Sequence, residues 1–387
     1  MRYFLFIIFI LLVGQIDAAK SKICLNMIVK DESEVICRCL ESVKPLIDYW
    51  VIVDTGSSDG TQEIIRDYLK DIPGELYECP WMNFSYNRNQ ALKLAKGKGD
   101  YLLFIDADDK LTFSKNFKLP PLDKDMYFIR CSSSGTMYSK IHLINNRLDW
   151  EWKGILHETI ESGQAKSSAI LKGVTDVIGN DGCRSKDPLK ALKDAKTLEK
   201  ALQKNPENAR YVFYTAQCYK EAGDFEMALK YYQKRVEMGG WDQEVFYAIL
   251  QTGFLQEALN MTAGTIINSY NKAYLFRPSR VEPLYRLANF FRKAENYEAA
   301  YEAALQGLSI PYPEDTFYVD KWIYDYGLLL EFSIIASALD KPKEAIAACR
   351  LLLSTPDLPA EIRYAILTAL RNQKERSEAN IHTQFVP

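Results

Sequence analysis

A continuous apolar run, Tyr101–Ile105, is followed at once by Asp106-Ala107-Asp108-Asp109. A strand that is apolar on both faces is typical of a parallel sheet covered by helices on both sides. Carboxylates beside such a strand are costly unless solvent or a cation meets them. One small residue separates Asp106 from Asp108, so their oxygens can converge on one divalent ion, Mg²⁺ or Mn²⁺. The simpler interpretation is a solvated acidic turn, and this pattern alone leaves both open.

Strand and helix patterns alternate through the first 110 residues. Ile23–Val29, Trp50–Val53 and the shorter Leu76–Cys79 have strand patterns, and amphipathic helical patterns lie between them. This alternation predicts a mostly parallel α/β sheet in three layers, in which ligands bind beyond the carboxyl ends of the strands. Acidic residues stand at three of these ends, namely Asp31 with Glu32, Asp54, and Asp106 with Asp108.

The loop after the second strand, Asp54–Thr61, narrows the class of ligand. It has neither the G-x-G-x-x-G pattern of dinucleotide-binding folds nor a P-loop pattern. A carboxylate after an early strand suits ribose hydroxyls or a base edge, and a metal-binding carboxylate pair suits a diphosphate. Together these features predict a nucleoside-diphosphate donor.

Four segments in order, ICLNMIVKDE, VIVDTGSSDGT, FSYNRNQAL and YLLFIDADD, resemble the motifs of family-2 glycosyltransferases of the GT-A fold. The resemblance extends from Ile23 to about Asp109. It implies that Asp54 binds the uracil or ribose of a nucleotide sugar and that Arg88 lies near the diphosphate. The implied donor-binding residues are Asp31, Glu32, Asp54, Arg88 and Asp106, and the implied metal motif is Asp106 with Asp108. Without the resemblance, Arg88 would be interpreted as a helix-surface charge.

The segment Trp150–Glu158 carries one of the three histidines of the chain. A histidine beside a carboxylate can bind a metal ion or take part in proton transfer. The pattern Trp-x-Gly-x-x-His-Glu is similar to a segment of compact, bacterial-type family members that carry helical repeats. We therefore expect His157 and Glu158 to be catalytic, with Glu158 as the base, and His157 also to be a metal ligand. A structural histidine beside an exposed glutamate is the simpler interpretation.

After about Lys186 the strand patterns stop and amphipathic helices follow. Ala216 aligns with Ala288, and Ala228 with Ala300, each 72 residues apart. That offset equals two units of about 34–36 residues, the period of tetratricopeptide (TPR) repeats. Further units are predicted at Trp241–Phe276, with a longer second helix, and at Asp325–Leu353. The repeats form either a concave groove for a peptide or protein partner or a stabilising, dimerising platform, and both remain open.

The first residues follow the order of a secretory signal peptide. Arg2 precedes an apolar run at Tyr3–Val13, and the small pair Ala18–Ala19 ends the segment. These eleven apolar residues are fewer than the ~20 that span a bilayer. We expect a protein of the secretory pathway or an exported one, with an uncleaved membrane anchor as the alternative.

The predicted organisation is a signal peptide or short anchor at 1–19, a GT-A glycosyltransferase domain at 22–186, all-α TPR-like repeats at 187–374 and a loose tail at 375–387. A net charge of −3 gives no indication of a nucleic-acid partner.

The expected function is metal-dependent glycosyl transfer, with inversion implied by the resemblance. A UDP-sugar is the first candidate for the donor, and a glycan, peptide or protein is expected as the acceptor. Two alternatives are kept. One is a TPR scaffold with a catalytically weak transferase domain. The other is a nucleotidyltransferase, which the lack of a triphosphate-binding loop after the first strand disfavours.

Overall fold

The computed structural model describes residues 20–371. The segments predicted as a signal peptide or anchor, 1–19, and as a tail, 375–387, lie outside these residues. Within the described part of the chain, no helix is both long enough and apolar enough to cross a membrane.

The amino-terminal half is built on a mixed sheet. Its strands are β1 (Ile23–Val29), β2 (Tyr49–Asp54), β3 (Gly74–Glu78), β4 (Tyr101–Leu103), β5 (Lys110–Phe113), β6 (Met126–Ser133), β7 (Thr136–Asn145) and β10 (Ser168–Val177). In the part of the chain described, these strands lie in the order β3-β2-β1-β4-β7-β6-β10-β5. A separate hairpin pairs β8 (Glu151–Lys153) with β9 (Thr159–Glu161).

The strands β1 to β4 form the parallel part of this sheet, as the sequence predicts. The helices between them are α1 (Ile36–Val43), α2 (Thr61–Tyr68) and α3 (Phe84–Leu94). The side chain of Asn83 caps α3 by accepting the N–H of Tyr86 at 2.8 Å. This cap sets the start of the helix that carries Arg88.

The other side of the sheet is antiparallel where β7 lies between β4 and β6. The sequence patterns do not predict β5 or β10. Only Leu111 is buried in β5, and β10 is interrupted by a register shift near Gly173, whose φ is +82°. A bulge of this kind removes the two-residue alternation by which a strand is identified.

The carboxyl-terminal half consists of consecutive helices packed on one another. They are α4 (Lys190–Lys204), α5 (Ala209–Glu221), α6 (Phe225–Met238), α7 (Asp242–Ala258), α8 (Ala263–Phe276), α9 (Glu282–Lys293), α10 (Tyr297–Leu308), α11 (Leu328–Ala338) and α12 (Pro342–Leu353). Alanines at equivalent repeat positions, Ala228, Ala300 and Ala345, are buried where paired helices meet. The helical half therefore resembles TPR repeats.

One detail of the repeat prediction is wrong. In the unit at residues 241–276 the first helix, α7, has 17 residues and the second, α8, has 14, so the longer helix is the first. Helix α7 is buried along much of its length, including Val245, Phe246 and Leu255. A helix covered on several sides loses the one-sided apolar pattern from which its ends are located.

The two halves share one sheet. Strand β11 (Val319–Asp320), which follows α10, pairs antiparallel with the start of β7. Ser139 donates its backbone N–H to the carbonyl of Thr316 at 2.8 Å, and the Thr136 hydroxyl donates to Asp320 Oδ1 at 2.6 Å. The helical half is thus hydrogen-bonded to the sheet that carries the candidate site.

Candidate functional site

Asp54, at the end of β2, is fully buried. Its Oδ1 accepts the backbone N–H groups of Gly56 and Ser57, each at 2.8 Å, which fixes the turn of the loop. Its Oδ2 is also buried and has no partner among the residues described. A buried acceptor without a donor is costly, and a base N–H or a ribose hydroxyl would satisfy it.

The ends of β1 and β2 are fastened together by side chains. Asp31, whose φ is +53°, accepts the N–H of Ser58 at 2.8 Å and donates its own N–H to the Ser57 hydroxyl at 2.8 Å. Glu32 donates its N–H to the Thr61 hydroxyl at 2.8 Å. The structure thus brings the predicted residues Asp31, Glu32 and Asp54 to one edge of the sheet.

Glu32 and Asp108 face a common space beside Gly182. The Gly182 N–H donates to Asp108 Oδ2 at 3.3 Å, and the Cys183 N–H donates to Glu32 Oε2 at 3.2 Å. A Cβ at Gly182 would lie 3.0 Å from Asp108 Oδ2 and 3.1 Å from Glu32 Oε2. Burial, with a contribution from the charge of Asp108, raises the pKa of Glu32 to about 7. A bound cation would relieve this repulsion.

The segment after β10 crosses the acidic turn. A Cβ at Gly179 would lie 2.1 Å from the Asp108 carbonyl oxygen, so only glycine allows this approach. Arg38 fastens the segment from the other side, donating to Asp181 Oδ2 at 2.6 Å and to the Asp108 carbonyl at 2.7 Å. The acidic turn is therefore held by contacts that come from far along the chain.

Asp106 lies between two cations. Its Oδ1 accepts from Arg88 Nη2 at 2.7 Å, and its Oδ2 lies 3.3 Å from Lys140 Nζ. Lys140, with Arg88, holds the pKa of Asp106 well below its usual range. The Arg88 side chain is 15% exposed and its guanidinium lies 5.0 Å from the centre of the Trp152 ring. Arg88 is therefore part of the site and not a solvated helix-surface charge.

Lys140, on β7, is a site residue that sequence reasoning missed. Its Nζ lies 3.3 Å from Asp106 Oδ2, 3.5 Å from Asp109 Oδ2 and 3.9 Å from Asp176 Oδ2. Burial raises the pKa of Asp109 to about 8. The only local signal is a charged residue inside a strand pattern, between Tyr138 and His142. Its partners are on β10 and the turn after β4, so the role of Lys140 depends on the tertiary fold.

Glu158 also lies close to the Arg88 guanidinium. Its Oε2 is 3.7 Å from Arg88 Nε, and its side chain is 9% exposed. The other oxygen, Oε1, is buried without a partner among the described residues. Burial raises the pKa of Glu158, and the charge of Arg88 opposes that rise. A carboxylate with one unpaired oxygen in such surroundings can accept a proton from a bound hydroxyl group.

The His157 side chain contacts the helical half. Its ring is stacked on Tyr214 with ring centres 3.8 Å apart and an angle of 6° between the planes. Desolvation in this stack, with the nearby charges of Arg210, Lys190 and Arg184, lowers the pKa of His157 to about 3. The imidazole is therefore neutral at physiological pH.

Among residues 20–371, one group brings three possible metal ligands within 4.8 Å of one another, and it consists of Cys131, His142 and Asp176. The predicted ligands Asp106, Asp108 and His157 do not form such a group. His142 Nε2 lies 2.8 Å from Asp176 Oδ2, and its Nδ1 lies 2.9 Å from the Lys140 carbonyl. The contact with Asp176 joins β7, which carries Lys140, to β10.

Comparison with known proteins identifies the class of the sheet half. Residues 24–121 match the model of the family described as Glycosyl transferase family 2. A TPR repeat-containing protein of Synechococcus elongatus is 26% identical over 317 residues, which are 76% of this chain and 77% of that protein. The SPbeta prophage-derived glycosyltransferase SunS of Bacillus subtilis is 25% identical over 243 residues, which are 58% of this chain and 56% of SunS.

The chain therefore carries a family-2 glycosyltransferase domain followed by TPR-like helical repeats. Among solved structures, yeast Tom70 is similar over 50% of this chain and 40% of its own, at 16% identity and a TM-score of 0.38. The repeat assignment depends on the helix pairs of this chain and on their buried alanines.

Proposed function

We propose that this protein transfers a sugar from a nucleotide-diphosphate donor to the hydroxyl group of an acceptor. The observation that carries the proposal is that Arg88 lies within 4 Å of both Asp106 and Glu158, in a chain whose residues 24–121 match family 2. The acidic residues at the strand ends would face the donor. Glu158, which lies near the same guanidinium, would face the acceptor.

The nucleoside of the donor would occupy the edge formed by β1 and β2. The unpaired Oδ2 of Asp54 supports this position because it needs a donor group from a ligand. Asp31 and Glu32 would line the same pocket. Arg88 and Lys140 would lie beside the diphosphate, where permanent cations match its charge. A UDP-sugar is the first candidate.

A divalent ion, Mg²⁺ or Mn²⁺, is proposed at the acidic turn. Asp106 and Asp108 remain the proposed ligands, and we propose Glu32 as a third, because its carboxylate faces the same small space as that of Asp108. Oxygen ligands of this kind suit either ion. Such an ion supplies positive charge that offsets the charge developing on the departing diphosphate.

Glu158 would act as the general base. Its unpaired oxygen can take the proton of an acceptor hydroxyl. A base on the acceptor side supports direct displacement with inversion at the anomeric carbon. The acceptor would be a glycan, peptide or protein, and the concave side of the repeats is proposed as a site for it or for a partner protein.

The test has two stages. Purified protein is heated with UDP, GDP and ADP, each with MnCl₂ or with EDTA, and one nucleotide is expected to raise the melting temperature only when the metal is present. The matching nucleotide sugars are then assayed for hydrolysis and for transfer to glycans and peptides. Asp54→Ala is expected to weaken the nucleotide effect, and Glu158→Gln to leave only a small residual transfer rate with nucleotide binding unchanged.

Three results would contradict the proposal. Binding of nucleoside triphosphates with release of pyrophosphate would favour nucleotidyl transfer. Stabilisation by no nucleotide at all would favour a scaffold with an inactive domain. Full activity in EDTA would remove the metal from the proposal and leave Arg88 and Lys140 to balance the diphosphate charge.

A further inference from the structure

The segment Gly154–Glu158 is held by one helix of the repeat half. The Ile155 N–H donates to the Tyr211 hydroxyl at 3.1 Å, and Arg210 Nε donates to the His157 carbonyl at 2.9 Å. The Tyr214 ring is stacked on the His157 ring. All three contacts come from α5, so a single rigid element fixes the backbone on both sides of Leu156 and directly before Glu158.

Leu156 anchors the same segment by burial. Its side chain is 6% exposed and belongs to the core of the helical half, together with Leu198 and Phe213. The backbone has positive φ on both sides of it, +112° at Gly154 and +53° at His157. These turns allow Leu156 to point into the helices while Glu158, two residues later, points to Arg88.

The sheet half contributes one further contact to this segment. The Ser85 hydroxyl, in the first turn of α3, donates to the Gly154 carbonyl. Helix α3 also carries Arg88, whose Nε faces Glu158 Oε2 at 3.7 Å. The segment therefore bridges α5 of the repeats and α3 of the transferase domain, with the proposed base at its end.

We propose that Arg210, Tyr211 and Tyr214 are positioning residues for Glu158, so that the first repeat pair completes the transferase site. This inference rests on the proposed function. In it, the role of His157 is its contact with α5. None of the three side chains is shown to touch a reacting atom. They act through the backbone of Gly154–Glu158. Because an error of 1 Å in the place of a catalytic group can cost ~10²-fold in rate, loosening this segment should lower kcat.

The variants are chosen so that the fold is disturbed little. Tyr211→Phe removes only the hydroxyl that holds Ile155, and Arg210→Ala removes the contact to the His157 carbonyl. The matched control is Tyr219→Phe, on the same helix, because the Tyr219 hydroxyl bonds to Lys196 and not to the segment. Tyr214→Phe keeps the stacked ring and is the conservative variant, whereas Tyr214→Ala removes it.

Two measurements are made on each variant. Hydrogen exchange is followed by mass spectrometry in peptides that cover residues 154–158, and kcat and KM for the donor are determined with the nucleotide sugar found for the wild type. Tyr211→Phe, Arg210→Ala and Tyr214→Ala are expected to speed exchange in these peptides and to lower kcat about 10-fold or more, with donor KM unchanged. Tyr219→Phe and Tyr214→Phe should behave as the wild type.

Unchanged exchange at residues 154–158 in the variants would overturn the inference. So would faster exchange with an unchanged kcat, because the contact would then be structural only. A loss of donor affinity as large as the loss of kcat would show general damage to the fold, and the positioning role would be withdrawn. A wild type that transfers no sugar overturns the proposed function itself, and the exchange data distinguish that case because they need no activity.

Discussion

Arg88 Nη2 donates to Asp106 Oδ1 at 2.7 Å, which joins the third helix of the sheet half to the acidic turn. The same guanidinium faces Glu158 through its Nε. One planar cation thus lies within 4 Å of both the carboxylate proposed for the donor side and the carboxylate proposed as base. A lysine has the charge but not the planar guanidinium that donates to Asp106 and lies over the Trp152 ring.

We expect Arg88→Lys to lower kcat/KM by about 10²-fold or more, which is the usual loss when one preorganised donor is removed from a reacting site. Steady-state kinetics with the nucleotide sugar measures this loss, and circular dichroism checks the fold. Arg66→Lys, an exposed position on α2, is the control. Wild-type kinetics in Arg88→Lys would mean that charge alone suffices.

We expect Asp108→Asn to abolish the stabilisation that Mn²⁺ gives with the nucleotide, because an amide is a much weaker ligand than a carboxylate for this ion. The metal-free melting temperature should change little. Thermal shift titrations with MnCl₂ measure both quantities. The control is Asp149→Asn, because the Asp149 side chain is 82% exposed and lies outside the acidic turn. Unaltered metal dependence in Asp108→Asn would exclude this residue as a ligand.

The transfer rate should rise with pH through the pKa of Glu158. Burial raises that pKa, and only the ionised form accepts a proton, so the acid limb of kcat should have its midpoint above the ordinary value of about 4.3. A pH–rate profile of the wild type measures the midpoint. In Glu158→Gln we expect the residual rate to lack this limb, and a limb that persists would assign the titration to another group.

Asp109 should make the folded state less stable as the pH rises. Burial raises its pKa to about 8, so between about pH 4 and pH 8 the folded state holds a proton that the unfolded state has lost. The free energy of unfolding therefore decreases over this window. Asp109→Asn keeps an acceptor for the Gly179 N–H and should flatten the decrease. Urea denaturation at several pH values measures the free energy of unfolding. An equal dependence of this free energy on pH in both proteins would contradict the prediction.

Leu156→Ala should reduce the free energy of unfolding by about 2–5 kcal/mol, the usual cost of removing a buried leucine side chain. The side chain is in the core of the helical half, although it belongs to a segment of the sheet half. Chemical denaturation measures the change. Leu275→Ala, at a leucine that is 75% exposed, is the control. A small effect at Leu156 would mean that the two halves are joined mainly through β11.

The parallel part of the sheet was predictable because each of its strands is a local pattern. Apolar runs that end in acidic or glycine-rich turns predict β1, β2 and β4 and place Asp31, Asp54 and Asp106 at one edge. The antiparallel part was not predictable to the same extent. Its strands are half exposed or bulged, and they are paired by contacts between segments far apart in sequence.

The same distinction holds for the site. Arg88 was predicted from a motif, whereas Lys140 was missed because its carboxylate partners lie in two other parts of the chain, the turn after β4 and strand β10. The position of His157 also required the tertiary structure. Nothing in the residues around it indicates that Tyr214, on a helix of the repeats, lies parallel to its ring.

The pairing of β11 with β7 has a consequence for how the protein is made. Thr136 and Asp320, which bond across this pair, are 184 residues apart. At about 5–20 residues per second, a ribosome needs roughly 10–40 s to synthesise the intervening chain. During that interval the start of β7 has an unpaired backbone on one side, and such an edge can pair with a strand of another chain. The nascent protein is therefore most exposed to misassembly, and most dependent on chaperones, before its helical repeats have emerged.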